Sequence, residues 1–319
     1  MKILTILIFS GDRVSVNELL SDIVKINQSN LNIRLVDWGK DKKILKRKKK
    51  IYSNFQKKLK NFKIYYQKGN WEVRYLKYMK KFNSKYTLLI GDDDRINIGN
   101  FPKILKYLNF NFSGITLSFK NYQNNKDLKK KEIELSNLIR PFNIYNDISE
   151  IGFVSCQIIK TDLIHQISAG EEKKLMRTDF IQNFIILKII KKFKKWKVSN
   201  LRCIYRRMGD LDTFHKSEQY LERLKSEYSG YLIPLKKNFE YLGNNKIKKI
   251  YKTIFFKNLI SWLFLSIINC GKNKTFKNIS EMRKIIKEPY IIKITLIIFY
   301  IFSIFLLNFL RLFRRIIIK

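Results

Sequence analysis

The chain is poor in the residues that several common functional classes require. Its 319 residues include one alanine (Ala169), three cysteines, two histidines and four prolines. Cys156, Cys203 and Cys270 lie far apart and are odd in number. Neither a disulfide framework nor a cysteine-based metal motif can be read from them, which fits a reducing compartment. With only His165 and His215, a histidine-rich metal centre is excluded. No Gly-x4-Gly-Lys-Ser/Thr loop occurs, although the apolar residues and acids at 86–94 mimic the strand that accompanies one, so a P-loop ATPase is set aside. Acid is scarce too: 26 Asp+Glu stand against 65 Lys+Arg, a net charge of +39. A field of that sign suits nucleic acid or an anionic membrane surface. The abundance of Lys, Ile, Asn and Phe beside a single alanine also looks like AT-rich codon bias, so charge alone nominates no nucleic acid.

What is present is enough for a packed protein. Hydrophobic residues make up 45% and aromatics 14%, which argues against disorder. The length allows one large domain, or one domain with a smaller appendage. The run Met1–Phe9 is broken by Gly11-Asp12-Arg13 and has no small-residue cleavage site, so a first buried strand is expected there rather than a signal peptide.

Strand and helix signals alternate through the first half. Strands are expected at Ile3–Phe9, Ile33–Val36, Phe62–Tyr66, Tyr86–Ile90, Gly114–Phe119, Ile151–Ile159 and Val198–Tyr205. Helices are expected at Val14–Ile26, along a very basic segment with Ile44, Ile51, Tyr52, Phe55 and Leu59 on one face, and at Trp71–Phe82, Phe101–Leu108 and Phe180–Lys192. Asn121–Leu138 reads as a solvated excursion. Such alternation implies a mostly parallel sheet with helices on both faces. Beyond Phe214 the pattern is helical. Lys246–Lys257 is a basic amphipathic helix, Leu259–Ile268 is almost wholly apolar, and Ile294–Leu310 is at the short limit for a membrane span. Lysine and arginine flank these segments on every side, which favours helices lying in a membrane interface over a crossing helix. The expected division is 1–215 for the α/β domain and 216–319 for a helical tail, with membrane-associating segments at about 246–270 and 290–315.

The strongest local signal is Asp92-Asp93-Asp94, placed directly after Tyr86-Thr87-Leu88-Leu89-Ile90-Gly91. A buried strand there would deliver three carboxylates to its carboxyl end, where open α/β sheets bind ligands. Adjacent carboxylates repel one another, so a cation is expected to hold them. Hard oxygen ligands suit Mg²⁺ or Mn²⁺, commonly shared with substrate phosphates. A surface loop or helix cap would also accept aspartates.

Three strand ends then occur in order: the first strand with Ser10 to Arg13, the second ending Val36-Asp37-Trp38-Gly39-Lys40-Asp41, and Leu88 to Asp94. In this the chain resembles family 2 glycosyltransferases of the GT-A fold, of the bacterial surface-glycan type, over about residues 1–207. The resemblance implies a Rossmann-like α/β domain that moves a sugar from a nucleotide-diphosphate donor to an acceptor hydroxyl with inversion. The triplet matches the family's DxD motif, with Asp92 and Asp94 as the outer, metal-holding pair, Asp93 between them, and Asp92 and Asp93 on the donor side. Asp37 matches the acid that holds the donor's base or ribose, although Trp38-Gly39-Lys40 replaces the more usual acidic and Gly-Ser run; a simple turn residue is the other reading. Arg13 and Arg74 fall where the family has basic residues near the nucleotide. Arg206 and Arg207, after the last strand, are placed to clamp the diphosphate. Asp179, in Arg177-Thr178-Asp179-Phe180, matches the catalytic base at a helix start, with Thr178 where Glu is common; helix capping is the alternative. Glu171 and Glu172 are fallback bases, His215 is a possible metal or phosphate contact, and His165 is expected to pack.

A glycan or lipid-linked acceptor and a place on the cytoplasmic face of the inner membrane, peripheral or monotopic, follow from the tail. Two other classes stay open on the residues alone. One is a nucleic-acid-binding or nucleotidyl-transferring protein using the basic runs Lys42–Lys50 and Lys129–Lys131. The apolar tail and the absence of an aromatic-interleaved motif argue against it. The other is a non-catalytic membrane-surface module.

Overall fold

The computed structural model describes residues 2–26, 29–69, 71–122, 138–148, 150–166 and 181–207. Most of the 121–138 excursion, Glu171, Glu172, Asp179, His215, the boundary at 215 and all of the expected tail lie outside the described residues. Among the described residues, no helix is long and apolar enough to cross a membrane.

Four strands form the first half of one sheet: β1 (Leu4–Ser10), β2 (Leu31–Asp37), β3 (Phe62–Tyr66) and β4 (Tyr86–Gly91). They run parallel in the order β3-β2-β1-β4. Helices α1 (Val16–Ile26), α2 (Lys42–Lys58) and α3 (Trp71–Met79) connect them. Alternation places Leu4, Ile6 and Ile8 of β1 in one core with Leu19, Leu20 and Ile23 of α1 and Tyr52 and Phe55 of α2. Leu7, Val36 and Leu89 are also buried, and the period of two puts them on the other face. Cover on both faces explains why the two central strands, β1 and β4, read as nearly continuous apolar runs.

Register fixes the site. Ser10 lies opposite Asp37, and Phe9 lies opposite Gly91. The carboxyl ends of β1, β2 and β4 therefore finish level, and the strand order reverses between β1 and β4. That is the topological position where open α/β sheets form their ligand crevice.

The second half departs from expectation. Beyond β4 come β5 (Arg95–Ile96), α4 (Phe101–Tyr107), β6 (Gly114–Tyr122) and β7 (Ile139–Pro141). They are followed by α5 (Ile144–Asp147), β8 (Gln157–Lys160), α6 (Thr161–His165), α7 (Ile181–Phe193) and β9 (Trp196–Arg207). The full order is β3-β2-β1-β4-β8-β6-β9-β5, with β7 also on β9. The pairs β4–β8, β6–β8, β5–β9 and β7–β9 are antiparallel, and only β6–β9 is parallel here. The sheet is thus mixed rather than mostly parallel, because periodicity reports burial and not strand direction. The expected strand Ile151–Ile159 is two 3-10 turns, Glu150–Gly152 and Val154–Cys156, leading into the short β8. Gly114 allows β6 and β9 to meet: a Cβ there would stand 2.3 Å from the Trp196 ring.

Candidate functional site

The acid triplet occupies the link from β4 to β5, and β5 pairs with the far end of β9. It therefore joins the parallel half of the sheet to the mixed half, and each half holds one of its outer acids. Asp92 is gripped from β1: its Oδ2 accepts from Ser10 Oγ at 2.8 Å and from Gly11 N at 3.0 Å. Asp94 is gripped from the mixed side, where Oδ2 accepts from Ser155 Oγ at 2.5 Å and Oδ1 from Arg207 N at 3.2 Å. Ser155 Oγ also accepts from Gly91 N at 2.9 Å, so one hydroxyl ties the strand end to the acid. The middle residue Asp93 is more open and pairs with the exposed Arg13.

Asp92 and Asp94 are each 5% exposed. Burial, with the Asp93 charge adding to it, pushes the Asp92 carboxyl up to about 6 and the Asp94 carboxyl up to about 7. Two buried acids that resist ionisation are stabilised when a cation arrives. Among the described residues, no three acidic, histidine or cysteine side chains converge into a metal cage. The donor set is instead two buried carboxylates beside a more open third. That suits a hard cation taking one or two protein oxygens and filling its shell from phosphate and water.

A second cluster lies directly behind Asp92. Asp37, at the end of β2, has no exposed side-chain surface and accepts from Tyr52 Oη at 2.6 Å and Lys48 Nζ at 2.7 Å, both on α2. Its Oδ1 accepts from Gly39 N at 2.8 Å. Lys48, likewise fully enclosed, also donates to Gly11 O at 2.5 Å. Tyr52 Oη reaches Ser10 Oγ at 3.4 Å, which completes a path from Asp37 to Asp92. Burial and then the bond to Asp37 push the Tyr52 phenol up, so it stays a neutral donor. Asp37 in this geometry is a buried anchor for Lys48 and Tyr52, and Lys48 in turn ties α2 to the loop after β1.

Trp38 lies over that loop: a Cβ on Gly11 would meet its ring at 2.9 Å. The guanidinium of Arg74 stacks on Trp38 at 4.6 Å and donates to Gly69 O. Arg74 is 3% exposed, its Nε has no partner among the described residues, and burial lowers its pKa. A buried, under-partnered guanidinium beside the crevice is suited to an incoming anion or carbonyl oxygen.

Arg206 and Arg207 belong to β9 itself, opposite Asn121 and Tyr122, rather than to a turn after it. Arg207 donates to Glu18 Oε2 at 2.7 Å and Tyr122 Oη at 3.2 Å. What it offers Asp94 is its backbone N–H. Arg206 lies on the Phe153 ring at 4.9 Å, with the Phe119 ring beyond. The link after the triplet is anchored by Arg95, which makes a two-pronged bond to Asp22 of α1 at 2.8 and 2.6 Å. His165 is exposed on α6 and not packed as expected.

Lys48, Tyr52 and Ser155 were not among the sequence candidates. Lys48 was within reach: it sits four residues after Ile44 and four before Tyr52, on the stripe that α2 buries. Ser155 carried no signal, since nothing local marks a serine in a 3-10 turn that meets a strand end 64 residues away.

No protein-family model matches the chain, and no curated protein matches it in sequence. Solved structures do match in fold. Staphylococcus aureus TarS 1–349 in complex with UDP-GlcNAc superposes with a TM-score of 0.55 at 12% identity, covering 83% of this chain and 72% of that one. The mannosyltransferase PcManGT from Pyrobaculum calidifontis, in complex with GDP-Man and Mn²⁺, gives 0.51 at 9% identity, covering 94% and 85%. Against a longer S. aureus TarS structure the TM-score is 0.53 at 14% identity, and the chain spans 43% of that protein's length. The fold of the chain is glycosyltransferase-like.

Proposed function

We propose that this chain is a metal-assisted glycosyltransferase that moves a sugar from a nucleotide-diphosphate donor to an acceptor hydroxyl, with inversion. The observation that carries the reading is the pair of desolvated carboxylates, Asp92 and Asp94, fixed from opposite sides at the β1/β4 crevice of a glycosyltransferase-like sheet. The two fold neighbours bound to nucleotide sugars, one of them also to Mn²⁺, support it.

In this reading Asp92 and Asp94 would hold Mg²⁺ or Mn²⁺, which when bound would supply positive charge against the diphosphate leaving group. The chain's own groups do the rest. Ser10, Gly11 and Ser155 keep the two carboxylates aimed, so little reorganisation is needed as charge builds. Asp93 and Arg13 form an exposed ion pair on the donor-side rim. Arg74 on Trp38 offers the free guanidinium edge toward the nucleotide, while Asp37 acts through Lys48 and Tyr52 by holding the loop that frames it. Arg206 remains the candidate for a diphosphate contact from β9. Asp179 is the proposed base that takes the acceptor's proton. The acceptor is a lipid-linked or surface glycan, reached from the cytoplasmic face of an anionic membrane with help from the tail.

The test is donor binding. UDP, GDP, CDP and dTDP are titrated calorimetrically with and without Mn²⁺ against wild type and Asp94→Asn. One nucleotide binding only with Mn²⁺, and at least about tenfold more weakly to the variant, is the expected result. Failure of all four, with tight salt-sensitive binding of oligonucleotides instead, would replace this reading with the nucleic-acid one.

A further inference from the structure

The outer face of α2 has a composition that the site does not use. From Lys42 to Trp71 the chain contains no acid at all, and twelve lysines or arginines. Within α2 the buried residues are Lys48, Tyr52 and Phe55. At 3.6 residues per turn these fall within about 60° of arc. The opposite half carries Lys42, Lys43, Lys46, Arg47, Lys49 and Lys50, all exposed. Among the described residues none of these six pairs with a carboxylate, whereas buried Lys48 does. The helix thus sorts the cations of its first half: Lys48 is turned inward to Asp37, and these six form a single unneutralised face about 12 Å long at the start of the helix.

The position of that face matters as much as its charge. α2 starts five residues after the end of β2, at the sheet edge that carries Asp92 and Asp94. Asp12 Oδ1 accepts from Lys40 N at 2.7 Å and Asp41 N at 3.0 Å, tying the loop after β1 to the start of the helix. Asp41 caps the first turn through Lys43 N and Ile44 N, so the basic end is held in place on the crevice rim. A straight helix presenting cations along one side matches a plane of phosphate headgroups, since each cation reaches the surface independently and needs no groove.

We propose that the outward face of α2 docks on the anionic phosphate headgroups of a membrane, setting the rim of the crevice against the lipid surface. Charge complementarity selects this occupant, and the helix supplies no stacking platform of the kind a single-stranded nucleic acid uses. The docking stands on charge and placement alone. Its consequence, delivery of a lipid-linked acceptor to the crevice, rests on the glycosyltransferase reading.

The experiment uses the full chain and co-sedimentation with vesicles, either phosphatidylcholine alone or phosphatidylcholine with phosphatidylglycerol, and no nucleotide or sugar. Three proteins are compared: wild type, Lys42→Gln/Lys46→Gln/Lys50→Gln, and a control, Lys106→Gln/Lys192→Gln/Lys195→Gln. The control removes the same charge from exposed lysines toward the opposite sheet edge, where β4, β6 and β9 begin. About fivefold per cation near an anionic surface is expected (about 1 kcal/mol each). The α2 variant should therefore lose at least tenfold in partition to phosphatidylglycerol vesicles, with the control within about twofold of wild type. Inorganic phosphate at matched ionic strength should not compete. Equal losses in both variants would reduce the effect to net charge and overturn the proposal. No loss in the α2 variant would assign docking elsewhere, and an oligonucleotide or free phosphate that displaces the vesicles at matched ionic strength would assign the face to another anion. Because no donor is present, these outcomes are independent of the calorimetric test above.

Discussion

The two halves of the sheet hold the same motif by different means. The parallel half, β3-β2-β1-β4, brings its strand ends level and grips Asp92 through Ser10 and Gly11, with the Asp37–Lys48–Tyr52 cluster behind them. The mixed half grips Asp94 through a serine hydroxyl in a 3-10 turn and the backbone of a strand residue. The first arrangement follows from the regular repeat of strand, helix and strand. The second is assembled from segments distant in sequence, with Ser155 61 and Arg207 113 residues from Asp94.

The comparison breaks first at Lys48. Lys48→Met leaves Asp37 buried without its counter-charge and should cost about 3–5 kcal/mol in urea unfolding. Changing Asp37→Asn in the same chain should recover part of that loss, because the charge left unpaired is then gone. A Lys48→Met variant as stable as wild type would show that the cluster does not support the parallel half.

On the mixed side the sign reverses. The native Asp94 carboxyl sits at about 7, above its unfolded value near 4. Its contribution to stability is therefore full below about pH 4 and is lost as the pH rises through 7. Without divalent ions, Asp94→Asn should match wild type at pH 4. At pH 8 it should exceed wild type by on the order of 2 kcal/mol, allowing for the proton being shared with neighbouring acids. Thermal melts at the two pH values read this directly, and a variant less stable at pH 8 would contradict the burial of that charge.

Ser155→Ala removes the hydroxyl that joins Gly91 to Asp94 and should cost about 1–2 kcal/mol while sparing the Asp92 side. The smallest change is Glu18→Gln. Its bond to Arg207 is about one-third exposed on both partners, so less than about 1 kcal/mol is expected in unfolding experiments.

The same contrast governs what could be read from residues. Every strand of the parallel half was legible: Leu4–Ser10 and Tyr86–Gly91 are largely apolar runs that meet a glycine, and Leu31–Asp37 alternates apolar and polar residues before its aspartate. The triplet and its place at a strand end were legible for the same reason. The two-residue β5 and three-residue β7 are too short to carry a period. The direction of β8 depends on which strand it meets, which local pattern does not encode. Arg207 reads as a phosphate clamp from its place after the strand core, and only the fold shows that it also pairs with Glu18, 189 residues earlier.

The most direct test of the central claim, that the acids at this seam form a cation–diphosphate site, is an electron paramagnetic resonance titration of Mn²⁺. It would be run with and without the nucleoside diphosphate that the calorimetry selects, on wild type and Asp94→Asn. The account predicts one bound Mn²⁺ per chain in wild type when the diphosphate is present, weak binding without it, and at least tenfold weaker binding in the variant. Equal Mn²⁺ binding by both proteins, or none in wild type with the diphosphate present, would contradict it.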